Sequence, residues 1–82
     1  MPKPLAADGT RNLIGKRLKV LRKEKRLSQK RLMEELQLRG FESERGVIKR
    51  IENGVRYVSD IELKILAEYF GVSYDYLIDG KE

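Results

Sequence analysis

Residues 43–54 read SERGVIKRIENG, and this stretch decides the fold. At 100° per residue, Val47, Ile48 and Ile51 fall on one side of a helix, while Arg45, Gly46, Lys49, Arg50 and Asn53 gather on the other. Ser43 is an N-cap candidate, which places a helix over about residues 44–53. Asn53-Gly54 then ends it, because glycine enters the left-handed C-cap conformation without steric penalty. One face is therefore core, and the other is basic and polar. A helix fits the major groove of B-DNA, where Arg or Lys bonds guanine O6/N7 and Asn bonds adenine. The competing reading of that face is a solvated basic helix. Gly46, read as helix interior, costs about 1 kcal/mol relative to Ala. Its presence marks either close backbone approach or coincidence.

Upstream, Ser28 is a second N-cap candidate, and Leu32 and Leu36 supply a buried stripe behind it. Gly40 punctuates the end of that helix, and residues 38–42 are irregular. Before it, Ile14, Leu18 and Leu21 recur at i, i+4 and i+7, predicting a helix over about Asn12–Arg26 with Lys and Arg on its remaining faces. The first ten residues hold two prolines and a glycine without apolar period, so residues 1–10 are expected as a flexible arm. Lys3 and Arg11 are candidates to reach a phosphate backbone from there. Downstream, Ser59-x-x-Glu62 spells a capping box for a helix over Asp60–Phe70, closed by Gly71. Ser73 begins a short last helix through Ile78, and residues 80–82 are expected to fray.

The chain has 82 residues, room for one domain and a single core. It contains no cysteine and no histidine, which removes disulfides, thiolate chemistry, Cys/His metal cages and imidazole catalysis. The carboxylates show no paired spacing suited to acid/base work, so no enzyme, cofactor or metal is expected. No apolar run approaches a membrane span and the start lacks a signal-peptide stretch, so a soluble, cytoplasmic protein is expected. Residues 1–58 carry 16 Lys/Arg against 7 Asp/Glu, net +9, whereas residues 59–82 carry 2 against 6, net −4; together they give the +5 of the chain. A basic body with an acidic end suits a polyanion-binding surface followed by a segment that faces elsewhere.

Three strings then carry a family resemblance: IGKRLKVLRKEKRLSQKRL from Ile14, VIKRIENGVRYVS from Val47, and ELKILAEYFGVSYDYL ending at Leu77. Together they resemble the lambda-repressor and Cro-like helix-turn-helix family, also called the xenobiotic-response-element family. The resemblance implies an all-α, compact five-helix DNA-binding domain over residues 11–79 that acts as a sequence-specific transcriptional regulator. A repressor is expected. It implies that Gln29 anchors to phosphate or supports base contacts, that Arg45, Gly46, Lys49 and Arg50 face the groove, and that Asn53 and Arg56, with the loop through Tyr57, touch the DNA backbone. It also implies a structural salt bridge between Arg22 and Glu52. The chain departs from the family pattern in an enlarged turn between helices 2 and 3, and in Met33 and Gln37, which stand where a small residue and the turn glycine are usual. Phe41 is then expected to cover the core, and Arg39 either reaches a phosphate or is solvated.

The fourth helix has two apolar sides. Leu63, Leu66, Ala67 and Phe70 face the core, while Ile61, Ile65 and Tyr69 form a stripe opposite. Such a helix is either sandwiched within its own fold or covered by a second chain. A homodimer through Ile61, Ile65 and Tyr69 is the favoured expectation, with Tyr74, Tyr76 and Ile78 adding nearby surface. It would read a pseudo-palindromic operator in double-stranded DNA, with half-sites about 10 bp apart. The alternative is a protein-interaction module on the same fold, such as the antitoxin of a toxin-antitoxin pair.

Overall fold

Serine hydroxyls start three of the helices. In the computed structural model, which describes residues 3–41 and 44–81, Ser28 Oγ accepts from the Arg31 N–H at 3.0 Å, Ser59 Oγ from the Glu62 N–H at 3.1 Å, and Ser73 Oγ from the Tyr76 N–H at 3.0 Å. At Ser59 the box is reciprocal, because the Glu62 carboxylate accepts from the Ser59 N–H at 3.0 Å. The five helices are α1 (Gly15–Glu24), α2 (Gln29–Gln37), α3 (Val47–Glu52), α4 (Asp60–Phe70) and α5 (Tyr74–Asp79). The described residues contain no strand. None of their helices is long and apolar enough to cross a membrane.

Two helices start later than the spacing predicts. Asn12 is not in α1: its Oδ1 accepts from the Gly15 N–H at 2.8 Å and the Ile14 N–H at 3.2 Å, so it caps the helix from outside. α3 begins at Val47 and not near residue 44, because Gly46 has φ +78°, a left-handed conformation that an α-helix cannot contain. The expected capping residue, Ser43, lies outside the described residues. Gly46 is thus a turn residue, and the helix-interior penalty assigned to it does not arise. At the other end, α5 continues to Asp79, and the Gly80 N–H donates to the Tyr76 carbonyl at 2.8 Å.

The core is one cluster drawn from all five helices: Ile14, Leu18, Leu21, Leu32, Leu36, Val47, Ile48, Ile51, Leu66, Ala67 and Leu77, with Phe41 from the long connection. Phe41 is 3% exposed and covers the core as its position suggests. Its N–H donates back to the Leu36 carbonyl at 3.1 Å, so residues 38–40 form one further turn after α2 before the chain reverses. Met33 is half-buried against the same cluster. α4 divides its second stripe: Ile65 and Tyr69 pack half-buried against the core of their own chain, whereas Ile61 is 71% exposed.

The described part of the expected arm, residues 3–10, lies with Arg11 against the segment that follows α3. The Ala6 N–H donates to the Thr10 carbonyl at 2.8 Å and the Arg11 N–H to the Gly54 carbonyl at 2.7 Å, while Tyr57 Oη donates to the Lys3 carbonyl at 3.3 Å.

The close approach of α1 to the C-terminal end of α3 depends on Gly15. A Cβ there would collide with the Ile51 carbonyl oxygen and stand 3.1 Å from that of Glu52. Those are backbone atoms of the helix they would have to displace. Gly15→Ala is therefore expected to lower the midpoint of thermal unfolding, although Ala is favoured over Gly by about 1 kcal/mol in a helix. A raised midpoint would mean that α1 and α3 are not in this contact.

Candidate nucleic-acid interface

The platform beneath α3 is ionic. Arg22 Nε stands 2.6 Å from Glu52 Oε2, Arg22 Nη2 stands 3.1 Å from Glu52 Oε1, and Arg22 Nη1 donates to the Leu27 carbonyl at 2.8 Å. The two side chains are 10% and 2% exposed. The hydrogen bond to Glu52 raises the Arg22 pKa further, against burial, which opposes it. Gln29 Nε2 donates to Glu52 Oε1 at 3.0 Å, so a single carboxylate on α3 gathers donors from α1 and α2. Asn12 completes the platform, donating from Nδ2 to the Ile51 carbonyl at 3.1 Å and the Arg56 carbonyl at 2.8 Å. The Ile51 carbonyl also accepts from the Gly54 N–H at 3.0 Å, so Asn12 adds a second bond at the end of α3.

Above that platform Lys49 on α3 and Asn53 just after it are exposed, as are Arg45 and Gly46 in the turn before it. Arg50 is partly covered and lies along the same turn, its Nη1 donating to the Arg45 carbonyl at 3.1 Å and its Nη2 3.3 Å from Glu44 Oε2. Between α2 and α3 runs an open cleft of about 440 Å³, lined by Gln29, Lys30 and Met33 on one side and by Arg45 to Lys49 on the other. Three cations, Lys30, Arg45 and Lys49, border it. Three like charges bordering one cleft suit the binding of a polyanion.

Several expected contact residues are placed differently. Gln29 turns its amide nitrogen inward to Glu52. Arg56, expected at the DNA backbone, is held in a fork with Glu62, with Nη1 to Oε1 at 3.1 Å and Nη2 to Oε2 at 2.8 Å, and both side chains are more than four-fifths buried. Its Nη1 also donates to the Tyr57 carbonyl at 3.0 Å. Nothing in the Ser59-x-x-Glu62 spacing reveals that Glu62 also has this partner. Lys3 and Arg11 lie over the Tyr57 ring at 4.8 Å and 5.8 Å, and Arg39 and Lys25 over the Tyr69 ring at 5.1 Å and 5.0 Å. Asn12 and Glu44 were not singled out from the sequence. A helix-start asparagine followed by a core isoleucine is a weak signal for the first, and the second gives none.

Comparison with known proteins gives one result. Residues 15–82 match the model of a family described as a helix-turn-helix domain. No curated protein and no solved structure matches the chain.

The Glu62 carboxyl is pushed up by burial, but the Arg56 hydrogen bond, the Ser59 N–H and the attraction of the guanidinium outweigh that and hold it below its ordinary 4.5. A depressed carboxylate pKa stabilises the fold above the unfolded value and loses that contribution as pH falls through the folded one. Glu62→Gln should therefore be less stable than the parent in denaturant titrations at pH 7. The difference should shrink progressively once the pH drops below about 4.5. A difference that stays constant down to pH 2.5 would remove the ionised carboxylate from the account.

Proposed function

Because the chain belongs to the XRE-like helix-turn-helix family, we propose that this DNA-binding protein is a sequence-specific regulator of transcription that lays α3 in the major groove of double-stranded DNA and acts as a repressor. The observation that carries the reading is the cleft between α2 and α3, where Lys30, Arg45 and Lys49 converge beside an α3 whose position is fixed by the buried Arg22–Glu52 pair. Phosphate contacts set register and orientation, and base-edge contacts supply discrimination. Lys49 and Arg50 on α3, with Arg45 and Gly46 in the turn before it, address base edges and the adjoining phosphates. Asn53 extends that face at the end of the helix.

Gln29 has a supporting role: its amide nitrogen steadies Glu52, while its place in the first turn of α2 sets it beside Lys30 at the phosphate backbone. Arg56 shapes the loop that follows α3 through its fork with Glu62. Its backbone neighbours, more than its own charge, approach the DNA.

Two copies act together in this reading. Ile61 is the exposed centre of the dimer contact, with Ile65 and Tyr69 at its buried edge. Two α3 helices then meet half-sites of a pseudo-palindrome about 10 bp apart. A bound dimer would occlude promoter DNA from polymerase, which is the physical basis for a repressor. The acidic α4–α5 end, turned away from DNA, keeps like charges from crowding the phosphates.

Selection from random duplex DNA at near-physiological salt, with the mass of the bound complex recorded, tests this. The expected result is an enriched pseudo-palindrome bound by two chains. Lys49→Ala should then lose about 1–3 kcal/mol of discrimination at one base position, whereas Lys30→Ala should weaken all duplexes alike and lower the salt slope by about 1. Ile61→Glu should bind the same duplex more weakly and as a single chain rather than as a pair. Weak binding of every sequence, with tight capture of another protein, would instead favour an antitoxin-like interaction module.

A further inference from the structure

Arg50 is held in place before any DNA arrives. Its Nη1 donates to the Arg45 carbonyl at 3.1 Å and its Nη2 lies 3.3 Å from Glu44 Oε2. A Cβ on Gly46 would stand only 3.4 Å from Arg50 Nη1, so the guanidinium lies directly across the turn of residues 44–46. That turn leads into the N-terminal end of α3, the part of a recognition helix that meets base edges. A guanidinium offers five N–H donors in a planar fork. One is hydrogen-bonded here, to the Arg45 carbonyl, and Nη2 is ion-paired with Glu44, which leaves further N–H donors for a ligand.

Glu44 is 58% exposed along its side chain, and an ion pair so open to water adds little to folding stability. Its effect is on what Arg50 can do. An arginine free to rotate is readily captured by the nearest phosphate, which adds affinity without sequence information. An arginine already oriented loses less rotamer freedom on meeting a guanine edge. The carboxylate also repels phosphate from the same spot.

We propose that Glu44 is a specificity-determining positioning residue, which holds the Arg50 guanidinium over the turn so that its remaining donors address a guanine in the major groove rather than the DNA backbone. This rests on the DNA-reading function proposed above. Glu44 comes from the enlarged connection between α2 and α3, so the length of that connection acquires a use: it returns an acidic residue to the start of α3.

The test compares the full-length parent, Glu44→Gln and Arg50→Ala on the selected duplex, on a set in which each base pair is changed in turn, and on one unrelated duplex across a salt series. Thermal unfolding of each protein is measured in parallel. Arg50→Ala should abolish a preference for guanine at one position. Glu44→Gln should weaken the preference at that same position by about fivefold, the lower end of what a bidentate contact discriminates. It should at the same time tighten binding to the unrelated duplex and steepen its salt slope by about 1, with an unfolding midpoint equal to the parent. Full retention of the guanine preference in Glu44→Gln, or a loss spread evenly over all positions, would overturn the assignment. A parent that selects no sequence would instead refute the proposed function, and this role for Glu44 with it.

Discussion

Taking an ion pair out of water costs several kcal/mol per ion, and the attraction of the partners offsets this only when every remaining donor and lone pair is also satisfied. In the Arg22–Glu52 pair each guanidinium nitrogen and each carboxylate oxygen has a partner: Arg22 reaches Glu52 twice and the Leu27 carbonyl once, and Glu52 receives Gln29 as well. α3 has only six residues, too few to be a stable helix on its own. Its position is imposed from below, by Glu52 at its last turn, by Val47, Ile48 and Ile51 in the core, and by Asn12 on the carbonyls at and beyond its end. A buried charge pair of this kind orients more than it stabilises.

The same economy of side chains explains which parts of the molecule were legible in the sequence. The caps at Ser28, Ser59 and Ser73, the Ser59-x-x-Glu62 box and the periodic leucines depend on interactions within about one turn, and the structure forms the second and fourth helices where the spacing places them, while the first is shorter than expected at both ends. Ser43 as an N-cap candidate places residues 44–46 in the helix; the left-handed φ of Gly46 is a property of the turn and has no periodic signature. Asn12 likewise fits the start of a helical stretch in the sequence, but its side chain caps that helix from outside.

The placement of the contact residues was harder to read, for a physical reason. A long polar side chain on a surface helix has several partners within reach, and the sequence does not rank them. The family resemblance implies DNA contacts for both Arg56 and Gln29, yet Arg56 is drawn into a two-point fork with a carboxylate six residues on, and Gln29 to one far away in sequence. On α4, the two apolar stripes posed a choice between a second chain and the fold itself. Ile65 and Tyr69 pack against their own core, with Tyr69 capped by Lys25 and Arg39, so the exposed apolar surface there narrows to Ile61.

What remains is a division of labour along the chain: a basic face built on α2, α3 and the turn between them, and an acidic α4–α5 end. Mapping backbone amide chemical shifts while a mixed-sequence duplex is added at low salt tests that division most directly. The account predicts that the largest changes fall on Gln29, Lys30, Gly46 and Lys49, and fade as salt is raised. Changes concentrated on α4 and α5, with the cleft between α2 and α3 unaffected, would contradict it.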